Sequence, residues 1–557
     1  MMKKFLPSTG IIKWQTWVLL FLILLGTFLR TYHFHDWMLF GDDQIRDAYI
    51  TSDVVTGKSP LPLTGPFMSY SGNGEHGEEN SFHLGPVYYY FQMISAKIFG
   101  NYPDKLAYPD VFFSILSIPL FYLFLRLYFS KNISLGLTGL YAVSAYFISY
   151  SRFAWNTNLI PFFVILFLLS LYKFLEKNEK THWIWVLSLG FALGVGFQLH
   201  AIVMIIFSVV AFLVFLVSIK RNYQVWKKWA VVLLVFLILN TSQIISEAKT
   251  NLSNTKTLFR QSNGLALSKL KNDADCHIEA NFFFLSSYSS GNSQCYYNFV
   301  NLTSGDGRNY YLKNFQGKND FIILLTSLLF SAVGYFFLIY YNKKEEDAAK
   351  KYFLRLIAVY FMVGFLIMLP LSKTDINEFR YFTFGFFMPF LFLGFLVKFM
   401  AQKFTWLKIY LIPVAIIFYL LITSNTGVIS AEAKSYSEDN ITCSNLYKTN
   451  LGELEPVVQY MVSSSNGQDQ IYLGQNSSQR IILDALTYLL KQQSVEPVKF
   501  ENKSYAASGD EPVFYVSCKI PRVLPTNTTT KANNATAAYK KIGPIYVYQL
   551  NSSGVSK

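Results

Sequence analysis

The apolar run WVLLFLILLGTFL (residues 17–29) is soon followed by the polar stretch FGDDQIRDAY (residues 40–49). With its flanking residues, the run approaches the ~20 mostly apolar residues that one membrane crossing needs. Lysines at positions 3, 4 and 13 precede it, as in a signal sequence, but no small-x-small cleavage site follows it. The run therefore predicts an uncleaved first span, with the polar stretch emerging beyond its end.

The composition indicates a membrane protein throughout. Of the 557 residues, 52% are hydrophobic and 18% aromatic, whereas only 15% are charged. A net charge of +14 would also suit nucleic-acid binding. The basic residues, however, lie in short clusters between the apolar runs, which is typical of cytoplasmic loops that hold a membrane topology. We therefore exclude nucleic acid as a partner.

Eleven apolar runs are clear candidates for spans. They begin near Trp17, Val111, Ser134, Leu159, Trp183, Ile202, Trp229, Phe321, Phe353, Tyr381 and Leu407. A twelfth candidate, residues 84–99, is short, opens with Gly-Pro and carries three tyrosines and Lys97. If this segment lies in the membrane interface, every basic cluster falls inside the cell, and if it crosses, every cluster falls outside. We therefore predict about eleven spans and an interfacial segment.

The cysteines agree with this topology, which places residues 31–110 and 246–319 and the C-terminal tail outside. All four cysteines, Cys276, Cys295, Cys443 and Cys518, fall in those outer segments, where disulfides persist. Four cysteines allow three pairings. We favour Cys276–Cys295 and Cys443–Cys518, and four unpaired thiols are the alternative.

The chain divides near residue 424, after which long apolar runs stop and Ser, Asn, Thr and Gly increase. Residues 470–473, 512–516 and 545–548 are typical of short strands, and residues 481–491 of an amphipathic helix. The predicted fold class is an all-α polytopic membrane protein (residues 1–424) with a small extracytoplasmic C-terminal α/β domain (residues 425–557).

The acidic cluster of Asp42, Asp43, Arg46 and Asp47 is the first candidate for chemistry. On a short helix, Asp43, Arg46 and Asp47 would share one face. The structural alternative is a helix end that meets water. Against it, three neighbouring acids repel one another. A general base whose ionised form Arg46 maintains gives the cluster a purpose.

Further polar residues lie at span ends on the same predicted side. They are His83 and Tyr88, then Arg152 and Asn156, then His200, and finally Arg380. Each has a structural alternative: an aromatic anchor, a snorkelling arginine, a buried histidine, or an ion pair of Arg380 with Asp375 or Glu378. Arginines beside a tryptophan and asparagines could instead bind a phosphate. The convergence of these residues predicts a site at the outer leaflet, open to lipid.

Three motifs in this order resemble the GT-C glycosyltransferases, which include protein O-mannosyltransferases, aminoarabinose transferases and bacterial polyprenyl-phosphate-sugar-dependent enzymes. The motifs are Asp43-Gln-Ile-Arg46-Asp47-Ala, Gly85-Pro-x-Tyr88-Tyr-Tyr and Ser151-Arg152-x-x-Trp155-Asn156. The resemblance implies Asp43 as catalytic aspartate and Arg46 as its companion. It also implies a polyprenyl-phosphate sugar donor and inversion.

Two departures from that pattern bear on metal binding. Gln44 replaces a second acid, and Asp42, on the other side of Asp43, is predicted to substitute for it as the other catalytic carboxylate. Asn156 and Asn158 stand where relatives often carry a carboxylate. We therefore predict no metal and no other cofactor.

The sequence thus predicts a membrane glycosyltransferase that moves a sugar from the lipid donor to a glycan, lipid or protein acceptor. Asp43 would take the proton of the acceptor hydroxyl. Arg152 and Arg380, with Arg46 and His200, would stabilise the leaving phosphate. Asp47 would support the substrate site or serve only as the partner of Arg46. The predicted location is the bacterial plasma membrane, among membrane lipids, with the site and the C-terminus outside. The alternatives are a transporter or flippase of lipid-linked sugars and a non-catalytic receptor.

Overall fold

The computed structural model describes fourteen segments of the chain. They are residues 13–68, 81–175, 183–261, 267–287, 318–371, 379–404, 408–437, 450–465, 467–475, 480–501, 504–505, 511–518, 524–527 and 539–550. Helices dominate them, and a small sheet lies near the C-terminus.

The helices up to residue 437 build the main body of the protein. In chain order they are α1 (Trp14–Thr31), α2 (Asp42–Val55), α3 (Val87–Phe99), α4 (Pro103–Leu106), α5 (Tyr108–Leu125), α6 (Lys131–Ala142), α7 (Ala145–Ser149), α8 (Ile160–Leu175), α9 (Trp183–Leu199), α10 (Ala201–Arg221), α11 (Trp226–Leu239), α12 (Thr241–Lys249), α13 (Ser253–Gln261), α14 (Leu267–Ser286), α15 (Lys318–Lys344), α16 (Ala348–Leu371), α17 (Met388–Lys403) and α18 (Leu411–Ser437). Short 3-10 helices cover Asn156–Leu159, Tyr223–Val225 and Phe379–Gly385. Two short strands, β1 (Phe67–Met68) and β2 (Phe82–His83), pair antiparallel before α3.

A helix lies at each of the eleven apolar runs that the sequence marks. Within the described segments, 6 helices are long and apolar enough to cross a membrane alone. The number rises to 8 if two bent pairs each count as one span, namely α11 with α12 (63°) and the 3-10 helix Phe379–Gly385 with α17 (57°). The chain is an integral membrane protein, as predicted, and the count of eleven stays a prediction.

The segment predicted to be interfacial forms α3, which packs against α2, α4, α5 and α9. Two of its tyrosines, Tyr88 and Tyr89, are buried rather than at the surface, because their hydroxyls bind carboxylates inside the protein. The backbone N–H of Val87 donates to Oε1 of Gln198 at 3.1 Å. A side chain at Gly85 would meet Gln198 at 2.2 Å, so glycine allows α3 to approach the end of α9.

The C-terminal region is an α/β unit. Its helices are α19 (Leu451–Ser464) and α20 (Arg480–Gln492), and its strands are β3 (Gln470–Gln475), β4 (Glu496–Glu501), β5 (Ser504–Tyr505), β6 (Val513–Ser517), β7 (Thr526–Asn527), β8 (Tyr539–Ile542) and β9 (Ile545–Leu550). The main sheet has the order β4-β3-β6-β9-β8. Strand β3 is parallel to β4 and β6, and β9 is antiparallel to β6 and β8. The predicted strands β3, β6 and β9 and the predicted helix α20 are confirmed, whereas the sequence missed α19, β4 and β8.

Two apolar cores hold this architecture together. The larger one lies among the helices of the main body and is rich in phenylalanine, including Phe121, Phe163 and Phe207. The second core joins residues 38–48 to α19, α20 and the sheet. Burying each large apolar side chain contributes about 1.5–3 kcal/mol. The second core therefore fixes α2 against the C-terminal unit.

The cysteine pairings stay predictions. Cys518 is disulfide-bonded. Cys295 and Cys443 lie outside the described residues, as does the side chain of Cys276.

Candidate active site

The acidic stretch forms the start of α2, which confirms the predicted short helix. The helix begins after Gly41, whose backbone N–H donates to Oε1 of Gln44 at 3.4 Å. Gln44 therefore caps the start of the helix. The carboxylates of Asp42 and Asp43 lie in the first turn, where the helix dipole stabilises their charge.

Arg46 binds two carboxylates of the same helix. Its Nη1 lies 2.8 Å from Oδ1 of Asp43, and its Nη2 lies 2.7 Å from Oδ1 of Asp47. Its Nε also donates to Oδ1 of Asp47 at 2.8 Å, and its guanidinium lies over the ring of Phe67. The Asp43 side chain is 43% exposed, whereas that of Asp47 is fully buried. One carboxylate therefore faces solvent and the other supports the arginine.

Asp47 and Arg46 influence each other's charge. Burial raises the pKa of Asp47 to about 6, although Arg46 and the hydroxyl of Tyr89 act in the opposite direction. That hydroxyl donates to Oδ1 of Asp47 at 3.1 Å. Burial also disfavours the charged form of Arg46, but Asp47 and Asp43 outweigh it and raise the pKa of Arg46 further. Arg46 therefore stays a cation beside Asp43 at any physiological pH.

Asp42 differs from its neighbour in both exposure and contacts. It is exposed, and within the described segments it makes no hydrogen bond or ion pair. Partial desolvation raises the pKa of Asp42, and the nearby charges of Asp43 and Asp484 raise it further. Asp42 is thus less suited than Asp43 to hold a defined geometry.

Trp155 connects Asp43 to residues far along the chain. Its indole Nε1 donates to Oδ2 of Asp43 at 3.2 Å. The guanidinium of Arg380 lies over the Trp155 ring at 5.0 Å and over the Tyr381 ring at 5.2 Å. The ring of His200 lies 6.1 Å from that of Tyr381. Tertiary packing therefore gathers Asp43, Arg380 and His200 around two aromatic rings.

Arg152 lies at the end of α1, in a setting of its own. It is 8% exposed, and its Nη1 and Nη2 donate to the backbone carbonyls of Leu29 and Tyr32 at 3.1 and 2.5 Å. Its guanidinium also lies over the ring of Trp37 at 5.2 Å. These contacts satisfy carbonyl groups that the end of a helix leaves without partners. The predicted phosphate contact of Arg152 stays a prediction.

The other predicted binding residues also bind backbone or buried groups. Nδ2 of Asn156 donates to the carbonyl of Leu199 at 2.5 Å. The backbone N–H of His83 donates to Asn254 at 2.6 Å, and the hydroxyl of Tyr88 donates to Oδ2 of Asp110 at 3.0 Å. Asn156 and Tyr88 are buried. Their contact with substrate is untested, and their observed partners support the frame around the site.

A small cavity lies beside Arg380, which is one of its lining residues. Its volume is about 20 Å³, which is enough for roughly one water molecule. Its wall is mainly apolar, and these residues with hydroxyl or amide groups contribute to it: Ser114, Ser117, Tyr141, Tyr146, Tyr150, Ser151, Thr157, Asn158 and Thr383. Oγ1 of Thr157 and Oδ1 of Asn158 are buried without a hydrogen-bond partner in the described part of the chain. The cavity therefore places a few polar groups within a mainly apolar wall next to Arg380.

Sequence reasoning missed three residues that hold the site together: Trp155, Tyr89 and Asp110. Asp110 accepts hydrogen bonds from Tyr88 and from the backbone N–H of Trp155, the latter at 3.2 Å. Trp155 lies inside a motif that the sequence marks, but nothing in the sequence shows that its indole reaches α2. The signal for Asp110 was an acid within an apolar helix, which is rare unless it has a role.

Comparison with known proteins agrees with this fold. The protein family described as dolichyl-phosphate-mannose-protein mannosyltransferase matches residues 83–245. That range contains Trp155, Arg152 and His200, and it ends well before Arg380. No curated protein matches the chain at a significant level.

Two solved structures show the likeness in three dimensions. ArnT from Cupriavidus metallidurans in the apo state has a TM-score of 0.50 at 11% identity, over 98% of this chain and 99% of that chain. The archaeal oligosaccharyltransferase AglB from Archaeoglobus fulgidus, in complex with an inhibitory peptide and a dolichol-phosphate, has a TM-score of 0.46 at 14% identity. That match covers 87% of this chain and 64% of that chain. At such identities the likeness to ArnT concerns the fold.

The helical membrane body with a small α/β unit therefore confirms the predicted fold class. The family match over residues 83–245 and the ArnT-like fold indicate a membrane glycosyltransferase, and they confirm the predicted resemblance to the GT-C glycosyltransferases.

Proposed function

We propose that this protein transfers a sugar from a polyprenyl-phosphate donor to an acceptor hydroxyl at the extracytoplasmic face of the membrane, with Asp43 as general base. One observation carries the proposal. Oδ1 of Asp43 forms an ion pair with Arg46 at 2.8 Å and Oδ2 accepts a hydrogen bond from Trp155 at 3.2 Å, while the side chain is 43% exposed. An oriented and accessible carboxylate beside a second arginine, Arg380, suits proton abstraction next to a phosphate.

The reaction balances with these groups alone. The acceptor hydroxyl gives its proton to Asp43 as its oxygen forms a bond to the anomeric carbon of the sugar. The bond between that carbon and the phosphate oxygen breaks, and its electron pair leaves with the polyprenyl phosphate. Arg380 stabilises the charge that grows on the phosphate. Attack opposite the leaving group inverts the anomeric carbon.

The two neighbouring acids suit supporting roles. Asp47 is fully buried, so an acceptor hydroxyl does not reach it. Its ion pair with Arg46 holds that cation beside Asp43. Asp42 is exposed and adds negative charge near Asp43.

The helix ends support the proposed orientation. The candidate site lies at the end of α1 and before the starts of α5, α8, α10 and α17. The basic clusters lie at the opposite ends of α5, α8, α10 and α17. Because basic residues mark cytoplasmic ends, we place the site and the α/β unit (residues 425–557) outside, on a transmembrane domain of residues 1–424. The motif resemblance favours a bacterial plasma membrane.

The family description and the site chemistry support a lipid-linked donor. A polyprenyl chain would lie among the membrane lipids, with its phosphate near Arg380 at the end of the bundle. The acceptor is a glycan, lipid or protein hydroxyl that approaches Asp43 from the exposed side. No metal or other cofactor enters this scheme.

The test is a donor-cleavage assay with purified protein in lipid nanodiscs. A panel of polyprenyl-phosphate sugars, labelled in the sugar, is incubated with an extract of envelope glycans, lipids and proteins as acceptors. Wild-type protein is expected to release polyprenyl phosphate and to label an acceptor. Asp43→Asn should lower the rate by about 100-fold to 10,000-fold, the usual contribution of a general base.

Asp42→Asn is the matched control, because it removes an equal charge one residue away and leaves the contacts of Arg46 and Trp155 intact. It is expected to keep most of the activity. Wild-type turnover in Asp43→Asn would contradict the proposal. In proteoliposomes, donor that crosses the bilayer uncleaved would support a flippase instead.

A further inference from the structure

Trp155 contacts both Asp43 and Arg380. Its indole N–H donates to Oδ2 of Asp43 at 3.2 Å, and its ring lies under the guanidinium of Arg380 at 5.0 Å. We propose that Trp155 is a positioning residue that sets the base and the phosphate-binding arginine relative to each other. This inference rests on the proposed function.

Trp155 can position other groups because it is itself held firmly. Its backbone N–H donates to Oδ1 of Asp110 at 3.2 Å, and Oδ2 of Asp110 accepts the hydroxyl of Tyr88 at 3.0 Å. The next residue, Asn156, donates to the carbonyl of Leu199 at 2.5 Å. Helices α3, α5 and α9 thus fix the backbone on which the indole stands.

Tryptophan suits this role for two chemical reasons. The indole N–H is a donor only, so it orients the Asp43 carboxylate without exchanging a proton with it. The ring face attracts a guanidinium through its quadrupole. That attraction uses the face of the guanidinium and does not itself engage the N–H donors at its edge.

Two side chains, Arg46 and Trp155, together orient the Asp43 carboxylate. Arg46 binds Oδ1 at 2.8 Å and Trp155 binds Oδ2 at 3.2 Å, so the plane of the carboxylate is set. Arg46 comes from the same helix, one turn away. Trp155 comes from the segment before α8, so it relates α2 to the rest of the site. An in-line displacement needs base and leaving-group stabiliser at a defined separation, which Trp155 supplies.

The test compares two substitutions of Trp155 in the donor-cleavage assay. Trp155→Phe keeps an aromatic face for Arg380 and removes the donor to Asp43. We expect kcat to fall about 10-fold, with little change in the KM for the donor. Trp155→Leu removes both contacts, and we expect it also to raise that KM about 10-fold, since Arg380 loses its support.

A pH profile separates positioning from a general loss of structure. Among the described residues, Arg46, Asp42 and Asp47 are charged groups close to the Asp43 carboxylate, Trp155 donates to it, and Arg380 stacks on the Trp155 ring. In Trp155→Phe these ionisable groups are unchanged, while the charged form of Asp43 loses its indole donor. The acidic limb of kcat against pH should therefore move to higher pH.

Trp229→Phe is the matched control. It also removes one indole hydrogen bond, from Nε1 to Oγ of Ser218 at 2.9 Å, at the opposite end of the helices. It should show wild-type kinetics, and thermal unfolding of all variants reports folding. A wild-type kcat and pH profile in Trp155→Phe would overturn the inference, as would an activity loss that follows loss of folded protein with an unmoved profile. Transfer by Asp43→Asn would instead overturn the proposed function.

Discussion

Two arginine–tryptophan stacks lie at the same end of the helical body, and they have different contacts. Arg152 lies over Trp37 at 5.2 Å, and Arg380 lies over Trp155 at 5.0 Å. Arg152 donates to two backbone carbonyls at the end of α1. Arg380 shares its tryptophan with Asp43 instead. The same side-chain pair therefore closes a helix in one place and builds a candidate active site in the other.

The first stack belongs to a larger structural connection. Trp37 lies in residues 32–40, which we call the anchor segment, between α1 and α2. The backbone N–H groups of Leu451 and Gly452 donate to carbonyls of Met38 and Asp36, each at 3.0 Å. The anchor segment thus ties the membrane body to the C-terminal unit.

A histidine adds a side-chain contact to this connection. Nδ1 and Nε2 of His35 lie 3.1 Å from Asp104 and 3.0 Å from Glu455. His35 therefore joins α4 of the membrane body to α19 of the C-terminal unit, and the anchor segment serves stability rather than chemistry.

Arg380→Gln should give the largest effect, and it should be an effect on activity. Removing a cation that stabilises the leaving phosphate is expected to lower donor cleavage about 100-fold, with little change in thermal unfolding. Arg380→Lys keeps the charge but loses the planar stack on Trp155, so an intermediate rate is expected. If wild type, Arg380→Gln and Arg380→Lys have equal activity, Arg380 has no catalytic role, and the proposed functional difference between the two arginine–tryptophan stacks is wrong.

Arg152→Gln should give the opposite result. It leaves carbonyls of Leu29 and Tyr32 without their charged donors, so we expect a loss of about 2 kcal/mol in the free energy of unfolding. Thermal unfolding in detergent should show a lower Tm, while kcat per folded molecule stays close to wild type. A stable Arg152→Gln protein that cleaves no donor would instead place Arg152 in the phosphate site, as the sequence predicts.

The smallest effect concerns pH and the anchor segment. Desolvation lowers the pKa of His35, but hydrogen bonds with Glu455 and Asp104 outweigh it and raise the pKa above its ordinary 6.5. Because the folded-state pKa is raised, this stabilisation is complete below about pH 6.5 and is lost as the pH rises through the folded-state value. The Tm difference between wild type and His35→Gln should therefore shrink from about pH 6 to alkaline pH.

His33→Gln is the control for that prediction. His33 lies two positions before His35 and pairs with Asp36 at 3.0 Å, and among the described residues it makes no hydrogen bond or ion pair with the C-terminal unit. If the Tm difference between wild type and His35→Gln does not depend on pH, the His35 imidazole stabilises the fold by packing alone and not as a cation.

Part of the fold and part of the site could be predicted from local pattern. The positions of the apolar helices follow from runs of apolar residues, and α2 follows from the charged stretch itself. Asp43, Arg46 and Asp47 stand at positions i, i+3 and i+4, so helical periodicity alone predicts that they share one face of the helix. The strand β8 was missed because its sequence, Tyr-Lys-Lys-Ile, has too little alternation of apolar and polar residues. It forms a strand because it pairs antiparallel with β9.

Other features depend on contacts between distant segments. Arg152 and Arg380 looked alike in sequence, each beside a large aromatic residue at a helix end. Which of them faces Asp43 depends on how α1, α8 and the 3-10 helix Phe379–Gly385 pack. The docking of α20 on α2, through Tyr488 against Phe40 and Tyr49, had no local signal either.

The sequence by itself determined that this chain is a membrane protein with a charged helix after its first span, because hydrophobicity and helical periodicity are local properties. The resemblance of its first motif to the GT-C glycosyltransferases also predicted the roles of Asp43 and Arg46. Only the tertiary structure decided that Trp155 joins Asp43 to Arg380, that Asp47 is buried, and that Arg152 closes α1. These outcomes depend on burial and on hydrogen bonds between elements far apart in the chain, which residue order does not encode in any short stretch.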